Sequence, residues 1–338
     1  MGTKKLTYQE ISRKSGISMS TISRVFNKSN LVTSQTRKKV LEALSSMGIE
    51  VNSADFAPDI PGRFIIFNVP TIKNPYYSPI IDSSRIVAER NGYTLLLNVN
   101  PLNDDRSISN FLELMKATRC SGVILANSVT KEEIEKICAN VPCVTCSEYI
   151  DDSTVPFVTI DNKEAARKAT EHLISIGKKK IAFLNGPRTF KYARDREKGY
   201  ISALREHDIR VDNSIIGQVG ADMDFDMAKA SAHYMLSSQF PPDAFFCISD
   251  VLAAAVIKVA TELGFRIPED VAVVGFDNIF VSSIVSPGIT TISQPVSQLG
   301  SIASDMLIKL IEKREERISP IYLKSELIIR ESTIGKES

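Results

Sequence analysis

The stretch Ile17-Ser-Met-Ser-Thr-Ile-Ser-Arg-Val-Phe-Asn27 has the pattern of a short amphipathic helix preceded by a capping residue. Ser18 is of the type that caps helix N-termini, because its hydroxyl can accept a hydrogen bond from a backbone N–H of the first turn. Ile22 and Val25 are spaced to share one face of a helix. The stretch therefore predicts a helix over 19–26 that buries this apolar face and exposes a polar one.

Two further helices are predicted around it. Thr7-Tyr-Gln-Glu10 is a capping box that starts a first helix, which ends at Gly16. A third helix begins at Thr33 or Ser34 and ends at Gly48. Three short helices with a glycine turn between the first two form a helix-turn-helix, whose second helix enters the major groove of DNA. The pattern also allows a plain three-helix bundle with a solvated polar face.

The polar face of the second helix carries side chains suited to DNA. Ser20 and Arg24 can hydrogen-bond base edges, and Met19 can contact a thymine methyl group. The other DNA contacts predicted in these helices are short polar side chains: Thr7, Ser18, Thr21, Ser23, Asn27 and Thr33. Residues 1–56 hold nine Lys/Arg and four acids, whereas the rest of the chain holds 32 and 36. A basic head on a mildly acidic body indicates a polyanionic partner for the head alone.

Composition narrows the class of protein. The chain has 338 residues, 43% hydrophobic and 24% charged, with a net charge of +1. These values are typical of a globular protein rather than a disordered chain, a collagen or a small disulfide scaffold. The sequence shows neither an apolar run of 18 residues nor an apolar leader, so a cytoplasmic protein without a membrane span is expected. The five cysteines are expected to be reduced thiols, and their spacing predicts no metal or cofactor site.

Residues 62–330 alternate strand and helix patterns. Strands are predicted at 63–69, 93–99, 122–126, 143–147, 156–160, 180–185, 244–248, 271–276 and 290–294. Amphipathic helices are predicted between most of these strands, for example at 79–91, 105–118, 162–176, 194–206, 225–238 and 250–263, and a further helix is predicted near 297–312. Alternation of this kind predicts an α/β body with doubly wound parallel sheets, and the stretch is long enough for two such units.

Several motifs resemble the LacI-type family of bacterial transcription factors, which includes the lactose and galactose repressors. The stretch 17–27 resembles the recognition segment of that family, and Val32-Thr-Ser-Gln-Thr-Arg-Lys-Lys-Val40 resembles the start of its third helix. Further similarities follow in order along the body, among them Val274-Gly-Phe-Asp-Asn278, Thr290-Thr-Ile-Ser-Gln-Pro295 and Leu327-Ile-Ile-Arg-Glu-Ser332.

The resemblance implies a domain organisation and a function. The implied parts are an all-α helix-turn-helix head over 1–50, a linker over 51–61 and a two-lobed body of periplasmic-binding-protein type over 62–338. Lobe 1 is expected at about 62–160 with part of 292–330, and lobe 2 at about 162–290 with part of the C-terminal segment. The family also implies a homodimer on a near-palindromic DNA operator, controlled by a sugar or sugar phosphate bound between the lobes. Repression is its usual mode, and the sequence leaves activation open.

Candidate effector contacts follow from topology, because ligands of open α/β sheets bind beyond the carboxyl ends of the strands. The polar and aromatic candidates near those ends are Asn68, Tyr76, Asn127, Ser147, Glu148, Asp161, Arg194, Phe246, Ser249, Asp250 and Asp277. The resemblance implies effector contacts at six of them, namely Tyr76, Asn127, Ser147, Arg194, Phe246 and Asp277. Core packing of the aromatic residues and turn capping by Asp277 are the structural alternatives. The basic segment 188–196 leaves a phosphorylated or carboxylated effector open.

The linker departs most from the family, whose linker is implied to form a short helix that wedges leucines into the minor groove. In Asn52-Ser-Ala-Asp-Phe-Ala-Pro-Asp-Ile-Pro61, Phe56 replaces a basic residue and Pro58 replaces a leucine. A proline inside a helix removes a hydrogen bond and clashes with the preceding turn, so an extended tether is expected. A helix over 53–57 with Phe56 as the wedge is the alternative. Asn52 and Phe56 are the DNA contacts predicted in the linker.

No catalytic motif competes with this interpretation. The sequence contains no G-x-G-x-x-G after a strand, no P-loop lysine motif, no G-x-S-x-G and no H-E-x-x-H. An enzyme is therefore not predicted. Two rival functions are a plain small-molecule binding protein with a vestigial head and an enzyme on the same two-lobed fold.

Overall fold

The computed structural model describes residues 12–13, 15–27, 34–46, 63–315 and 317–335, and the chain divides into two units at residues 63 and 64. The predictions for Thr7, Thr33, Asn52, Phe56 and the linker at 51–61 lie outside the described residues. Among the described residues, no helix is both long and apolar enough to cross a bilayer.

The first unit contains α1 (Met19–Asn27) and α2 (Ser34–Ser46). The helical residues before α1 end at Gly16, whose φ of +68° is a conformation that glycine adopts without a steric penalty. The Ser18 hydroxyl accepts a hydrogen bond from the backbone N–H of Thr21 at 3.1 Å. This contact confirms the predicted N-cap of the second helix.

The two helices bury the predicted apolar faces. Ile22 and Val25 of α1 are buried, as are Val40 and Leu44 of α2, and the two helices contact each other. Because these side chains lie on one face of α1, the opposite face of the helix stays exposed to solvent.

Lobe 1 is built on a six-stranded parallel sheet with the strand order β11-β5-β4-β3-β1-β2. Its strands are β1 (Phe64–Val69), β2 (Thr94–Val99), β3 (Gly122–Leu125), β4 (Cys143–Cys146), β5 (Phe157–Ile160) and β11 (Ile321–Leu323). Its helices are α3 (Tyr77–Arg90), α4 (Asp105–Thr118), α5 (Lys131–Cys138) and α11 (Val296–Ile311). Apolar side chains are buried on both faces of this sheet, as is usual for a parallel sheet covered by helices.

Lobe 2 is built on a second six-stranded sheet with the order β12-β10-β9-β8-β6-β7, in which β12 alone is antiparallel to its neighbour. Its strands are β6 (Ile181–Asn185), β7 (Ile216–Gln218), β8 (Ala244–Cys247), β9 (Ala272–Asp277), β10 (Thr290–Ser293) and β12 (Glu326–Ile328). Its helices are α6 (Asn162–Ser175), α7 (Lys191–Glu206), α8 (Phe225–Leu236), α9 (Asp250–Glu262), α10 (Val281–Ile284) and α12 (Glu331–Ile334).

The chain passes between the lobes three times: from β5 to α6, from β10 to α11, and from β11 to β12. The second crossing contains Gln294, which is buried. These crossings and the two six-stranded sheets confirm the predicted body of two mainly parallel α/β lobes.

The nine predicted strands are all present, and three further strands were missed. The missed strands β7, β11 and β12 are three residues long, and each forms an edge of its sheet. Their side chains are half-buried or exposed, so they do not show the continuous apolar run of a buried strand.

The five cysteines are free thiols in the structure. Cys143 and Cys146 both lie in β4, but they pack into separate apolar clusters on opposite faces of the sheet. Residues three apart in a strand point to opposite sides, so this pair does not form the two-ligand arm of a metal site.

Gly199 permits two helices of lobe 2 to pack closely. A Cβ atom at this position of α7 would overlap the backbone carbonyl oxygen of Lys163 in α6. Gly300 of α11 has the same relation to the carbonyl oxygen of Ile80 in α3. Each lobe therefore contains one helix pair in which backbone meets backbone, and a side chain there would force the helices apart.

Candidate functional site

A narrow cavity of about 20 Å³ lies between the two lobes, beyond the carboxyl ends of their strands. Its apolar and aromatic lining consists of Tyr76, Tyr77, Tyr192, Met223 and Ile248. Its polar lining consists of Asn74, Ser147, Glu148, Asn162, Arg196, Asp277 and Gln294. We call this the first cavity. Because both lobes contribute walls, any ligand that fills it contacts both lobes.

Asp277 ends β9 on the lobe 2 wall of the first cavity. Its Oδ1 lies 4.0 Å from the Arg196 guanidinium and accepts a hydrogen bond from Gln294 Nε2 at 2.7 Å. Burial raises the pKa of the Asp277 carboxyl to about 6. Its φ of +100° is unfavourable for a residue with a Cβ, so the surrounding contacts must hold the backbone in place.

Arg196 projects from α7 and is buried at the same wall. Its Nε donates to Asn162 Oδ1 at 2.9 Å, and its Nη1 donates to the backbone oxygen of Ile248 at 2.8 Å. The guanidinium carbon lies 3.6 Å from the centre of the Phe276 ring. These contacts fix a cation beside the Asp277 carboxylate, and such a charged pair can hydrogen-bond neighbouring hydroxyl groups of a ligand.

A chain of hydrogen bonds crosses the cleft beside this pair. Tyr76 and Ser147 of lobe 1 share a hydrogen bond of 2.7 Å between their hydroxyl oxygens. The Tyr76 hydroxyl also donates to Gln294 Oε1 at 3.4 Å, and Gln294 in turn donates to Asp277. Burial raises the pKa of Tyr76, so its phenol is neutral. The chain connects lobe 1, the crossing segment and lobe 2.

Glu148 follows β4 of lobe 1 and reaches into lobe 2. Its Oε2 accepts a hydrogen bond from the backbone N–H of Lys191 at 2.8 Å, and its Oε1 accepts one from Tyr192 at 3.0 Å. Burial raises the pKa of this carboxyl to about 7, against the opposing effect of the two N–H donors and of Arg194 and Arg196. The carboxyl is therefore poised to change charge near neutral pH.

A second cavity, of about 220 Å³, shares Glu148 as a wall and contains two of the predicted effector residues, Asn127 and Arg194. Asn68 Nδ2 donates to Asn127 Oδ1 at 2.6 Å, so Asn68 orients the Asn127 amide from behind. Thr145 also lines this cavity. Within the described part of the chain, Thr145 Oγ1 is the one buried side-chain polar atom without a hydrogen-bond partner.

Asn68 itself lines neither cavity, and the same holds for Asp161, Phe246, Ser249 and Asp250. Phe246 is fully buried within β8, where its ring stacks on Phe183 at 5.2 Å, so core packing corrects the expectation of an effector contact. Asp250 is buried and accepts hydrogen bonds from Thr291 and from the backbone of Ile279, a structural role. Asp161 is exposed and caps α6.

The head presents the predicted DNA-facing side chains to solvent. Met19, Ser20 and Arg24 are exposed on α1, with Met19 at 51%. Ser18 hydrogen-bonds the hydroxyls of Ser20 and Thr21 at 3.0 and 2.7 Å. Ser23 is half-buried, and Asn27 ends the helix.

Comparison with known proteins identifies the family. A profile described as "Bacterial regulatory proteins, lacI family" matches residues 7–50, and one described as "Periplasmic binding protein-like domain" matches residues 170–333. The ribose operon repressor of Halalkalibacterium halodurans is 32% identical over 337 residues, which cover 98% of each chain. The chain belongs to the LacI family of bacterial regulatory proteins.

Solved structures of similar proteins agree with this assignment. The transcriptional regulator CelR in complex with cellobiose has a TM-score of 0.74 and 25% identity, and the match covers 97% of this chain and all of that one. An uncharacterized protein from Actinobacillus succinogenes has the same TM-score and 34% identity, over 80% of this chain and 98% of that one. The LacI-family chain described here thus shares both head and body with known regulators.

The first cavity of this LacI-family protein includes residues that the strand-end argument missed. Arg196 lies two positions beyond Arg194, and a helix turns about 200° over two residues, so only Arg196 points inward. Met223 follows the unpredicted strand β7, so no predicted strand end pointed to it. Over the residues that the structure describes, no group of three or more His, Cys, Asp or Glu side chains is arranged to hold a metal ion.

Proposed function

We propose that the protein binds operator DNA through its head and that an effector in the first cavity controls this binding, with repression of sugar-utilisation genes as the outcome. The observation that carries the proposal is the cavity itself, which has walls from two lobes in a chain that also carries a helix-turn-helix. A ligand that contacts both walls binds one lobe arrangement better than the other and shifts the equilibrium between them. Such a regulator acts in the cytoplasm, where the DNA is.

The lining of the first cavity supports a sugar-like effector, for which the two lobes must move apart, because the present space of about 20 Å³ holds one water-sized molecule. The rings of Tyr76 and Tyr192 can cover the apolar face of a sugar ring. Asp277 and Arg196 offer a fixed acceptor and a fixed donor for its hydroxyl groups. The similarity to proteins named for ribose and cellobiose supports the same class of ligand.

The proposed DNA contacts divide by role. Met19 and Ser20 in the first turn of α1 and Arg24 in its last turn, all exposed, read base edges, and the hydroxyls of Ser18 and Thr21 bind phosphate oxygens. The phosphate contacts position the head, and the base contacts select the sequence.

A homodimer is proposed because two heads are needed to bind two half-sites of a near-palindromic operator. Phe280, directly before α10, and Ile284, at its end, are 65% and 70% exposed, which is unusual for such large apolar side chains. A groove next to them is lined by apolar residues of α9 and α10 such as Val251, Ile257 and Val281. A second copy of the chain is the proposed occupant. Ile284→Asp should convert the dimer to monomers, as measured by analytical ultracentrifugation. An unchanged dimer would show that this face is not the dimer interface.

The linker over 51–61 is proposed as an extended tether, because Pro58 disfavours a helix there. Measurement of operator bending with the wild type and with Phe56→Ala tests this point. A sharp bend that disappears in the variant would exclude the tether and establish Phe56 as a minor-groove wedge.

A sugar screen joined to a DNA-binding assay tests the function as a whole. A sugar at 100 times its Kd should raise the free energy of unfolding by about 2.7 kcal/mol. The same sugar should change retention on operator DNA at moderate salt. A sugar that binds while the protein never retains DNA would favour the rival function, a binding protein with a vestigial head. Turnover of the sugar would favour an enzyme.

A further inference from the structure

The N-terminus of α7 lacks a cap from its own neighbourhood in the sequence. The residue before the helix is Phe190, whose side chain cannot accept a hydrogen bond, and the first turn, Lys191-Tyr-Ala-Arg194, contains no acid. By contrast, α6 is capped by Asp161 and α8 by Asp224, in each case the residue directly before the helix. Backbone N–H groups at the start of a helix form an anion-binding position.

Glu148 of lobe 1 fills this position. Both carboxyl oxygens are used, at 2.8 Å from the backbone N of Lys191 and 3.0 Å from that of Tyr192. The residue is 4% exposed, so water does not compete for these contacts. The cap of a lobe 2 helix therefore comes from the other lobe, and it is lost if the lobes separate.

Nearby contacts join the lobes at the same place. Lys191 Nζ pairs with Asp151 Oδ2 of lobe 1 at 3.0 Å and lies 4.6 Å from the centre of the Tyr149 ring. The Ser128 hydroxyl donates to the backbone oxygen of Thr189 at 2.6 Å. Asp151 is 70% exposed, so its ion pair with Lys191 is weak, and Glu148 is the buried acid of this group.

We propose that Glu148 is a tethered anion that ties lobe 1 to lobe 2 and reserves the first cavity for uncharged effectors. The part about effectors rests on the proposed function. A phosphate in the cleft would take the N-terminus of α7, next to Arg194 and Arg196, if that position were vacant. With Glu148 there, a phosphorylated ligand meets the carboxylates of Glu148 and Asp277 instead, and like charges at short range disfavour its binding.

The charge of Glu148 is set by groups on every element around it. Arg194 and Arg196 of α7 favour the carboxylate, and burial disfavours it, which leaves the pKa at about 7. Tyr77 and Tyr192 face the same carboxyl, and burial raises the pKa of both, so they remain neutral. At pH 8 the Glu148 carboxyl is mainly ionised, so the negative charge of the tethered anion is present.

Hydrogen exchange of the full-length protein at pH 8 tests the tie between the lobes without effector or DNA. In Glu148→Ala, the amides of Lys191 and Tyr192 should exchange about ten- to hundredfold faster, the loss expected for hydrogen bonds to a charged acceptor. Glu148→Gln keeps one carbonyl acceptor and should be intermediate. Glu133→Ala is the matched control, because Glu133 accepts the N–H of Thr130 within lobe 1 and its loss should leave residues 191 and 192 unchanged.

Small anions added in solution test directly whether an anion can take the place of the missing carboxylate in Glu148→Ala. Formate should restore protection of residues 191 and 192 in Glu148→Ala, and chloride at equal ionic strength should not. Inorganic phosphate should raise the Tm of Glu148→Ala and leave that of the wild type unchanged. Equal exchange in the wild type and Glu148→Ala, no rescue by formate, or equal stabilisation of both proteins by phosphate would each overturn the proposal. The sugar screen is independent of these measurements, so either proposal can fail alone.

Discussion

Replacement of Glu148 by glutamine should change how stability depends on pH. Burial raises the pKa of the Glu148 carboxyl from 4.5 to about 7. The folded protein therefore binds more protons at this site than the unfolded chain does between these two values. By linkage, the contribution of Glu148 to the free energy of unfolding is greatest below pH 4.5 and declines as the pH rises towards 7. The pKa difference corresponds to about 3 kcal/mol.

Urea unfolding of the wild type and Glu148→Gln, followed by circular dichroism between pH 4.5 and 8, measures this effect. Glutamine does not titrate, so the difference between the two proteins isolates the carboxyl. The wild type should lose about 3 kcal/mol relative to the variant as the pH rises from about 4.5 to 7.5, and the difference should then be constant. A difference that is constant across the whole range, or that favours the wild type at high pH, would refute the burial argument.

Three further variants test other parts of the structure. Asp277→Asn should abolish the effector response and leave operator affinity unchanged; asparagine tolerates the positive φ at this position, so circular dichroism should show a folded protein, and an unfolded one would indicate a structural role. Gly199→Ala should lower the free energy of unfolding by about 1–3 kcal/mol, because the added methyl group overlaps the backbone of α6, and an unchanged Tm would contradict that packing. Arg24→Ala should weaken specific DNA binding by about 1–3 kcal/mol, and an equal loss on non-specific DNA would reject a base contact.

The helices and strands with a strong pattern could be predicted from the sequence, and three of the four edge strands could not. Buried central strands such as β9 are continuous apolar runs, which local patterns reveal. The edge strands β7, β11 and β12 have three residues each, and partners far away in the chain determine their conformation. The helix α5 is not among the helices named from the sequence, although its capping box of Thr130 and Glu133 is visible there.

The cavity residues were harder to predict, because the end of a strand marks where a ligand can bind but does not show which nearby side chains point towards it. Phe246 lies near the end of β8, yet β8 is central in its sheet, and its side chains are buried by neighbouring elements. Helical periodicity could have separated Arg196 from Arg194, since Arg196 shares the buried face of α7 with Ala193 and Tyr200. The cap of α7 by Glu148 had no local signal, because the two residues that meet there belong to different lobes.

The Glu148 contact also suits a protein that must change shape. Its two hydrogen bonds favour the observed arrangement of the lobes, but burial of the carboxyl opposes it, as the raised pKa shows. When the lobes separate, water can hydrate both the carboxylate and the N–H groups of α7, so desolvation offsets part of the hydrogen-bond energy and the tie is weaker than its two hydrogen bonds alone would make it. A ligand that favours one lobe arrangement by a few kcal/mol is then enough to reverse a modest bias. A local cap on α7, like those on α6 and α8, would stabilise the helix equally in both arrangements and could not contribute to such a switch.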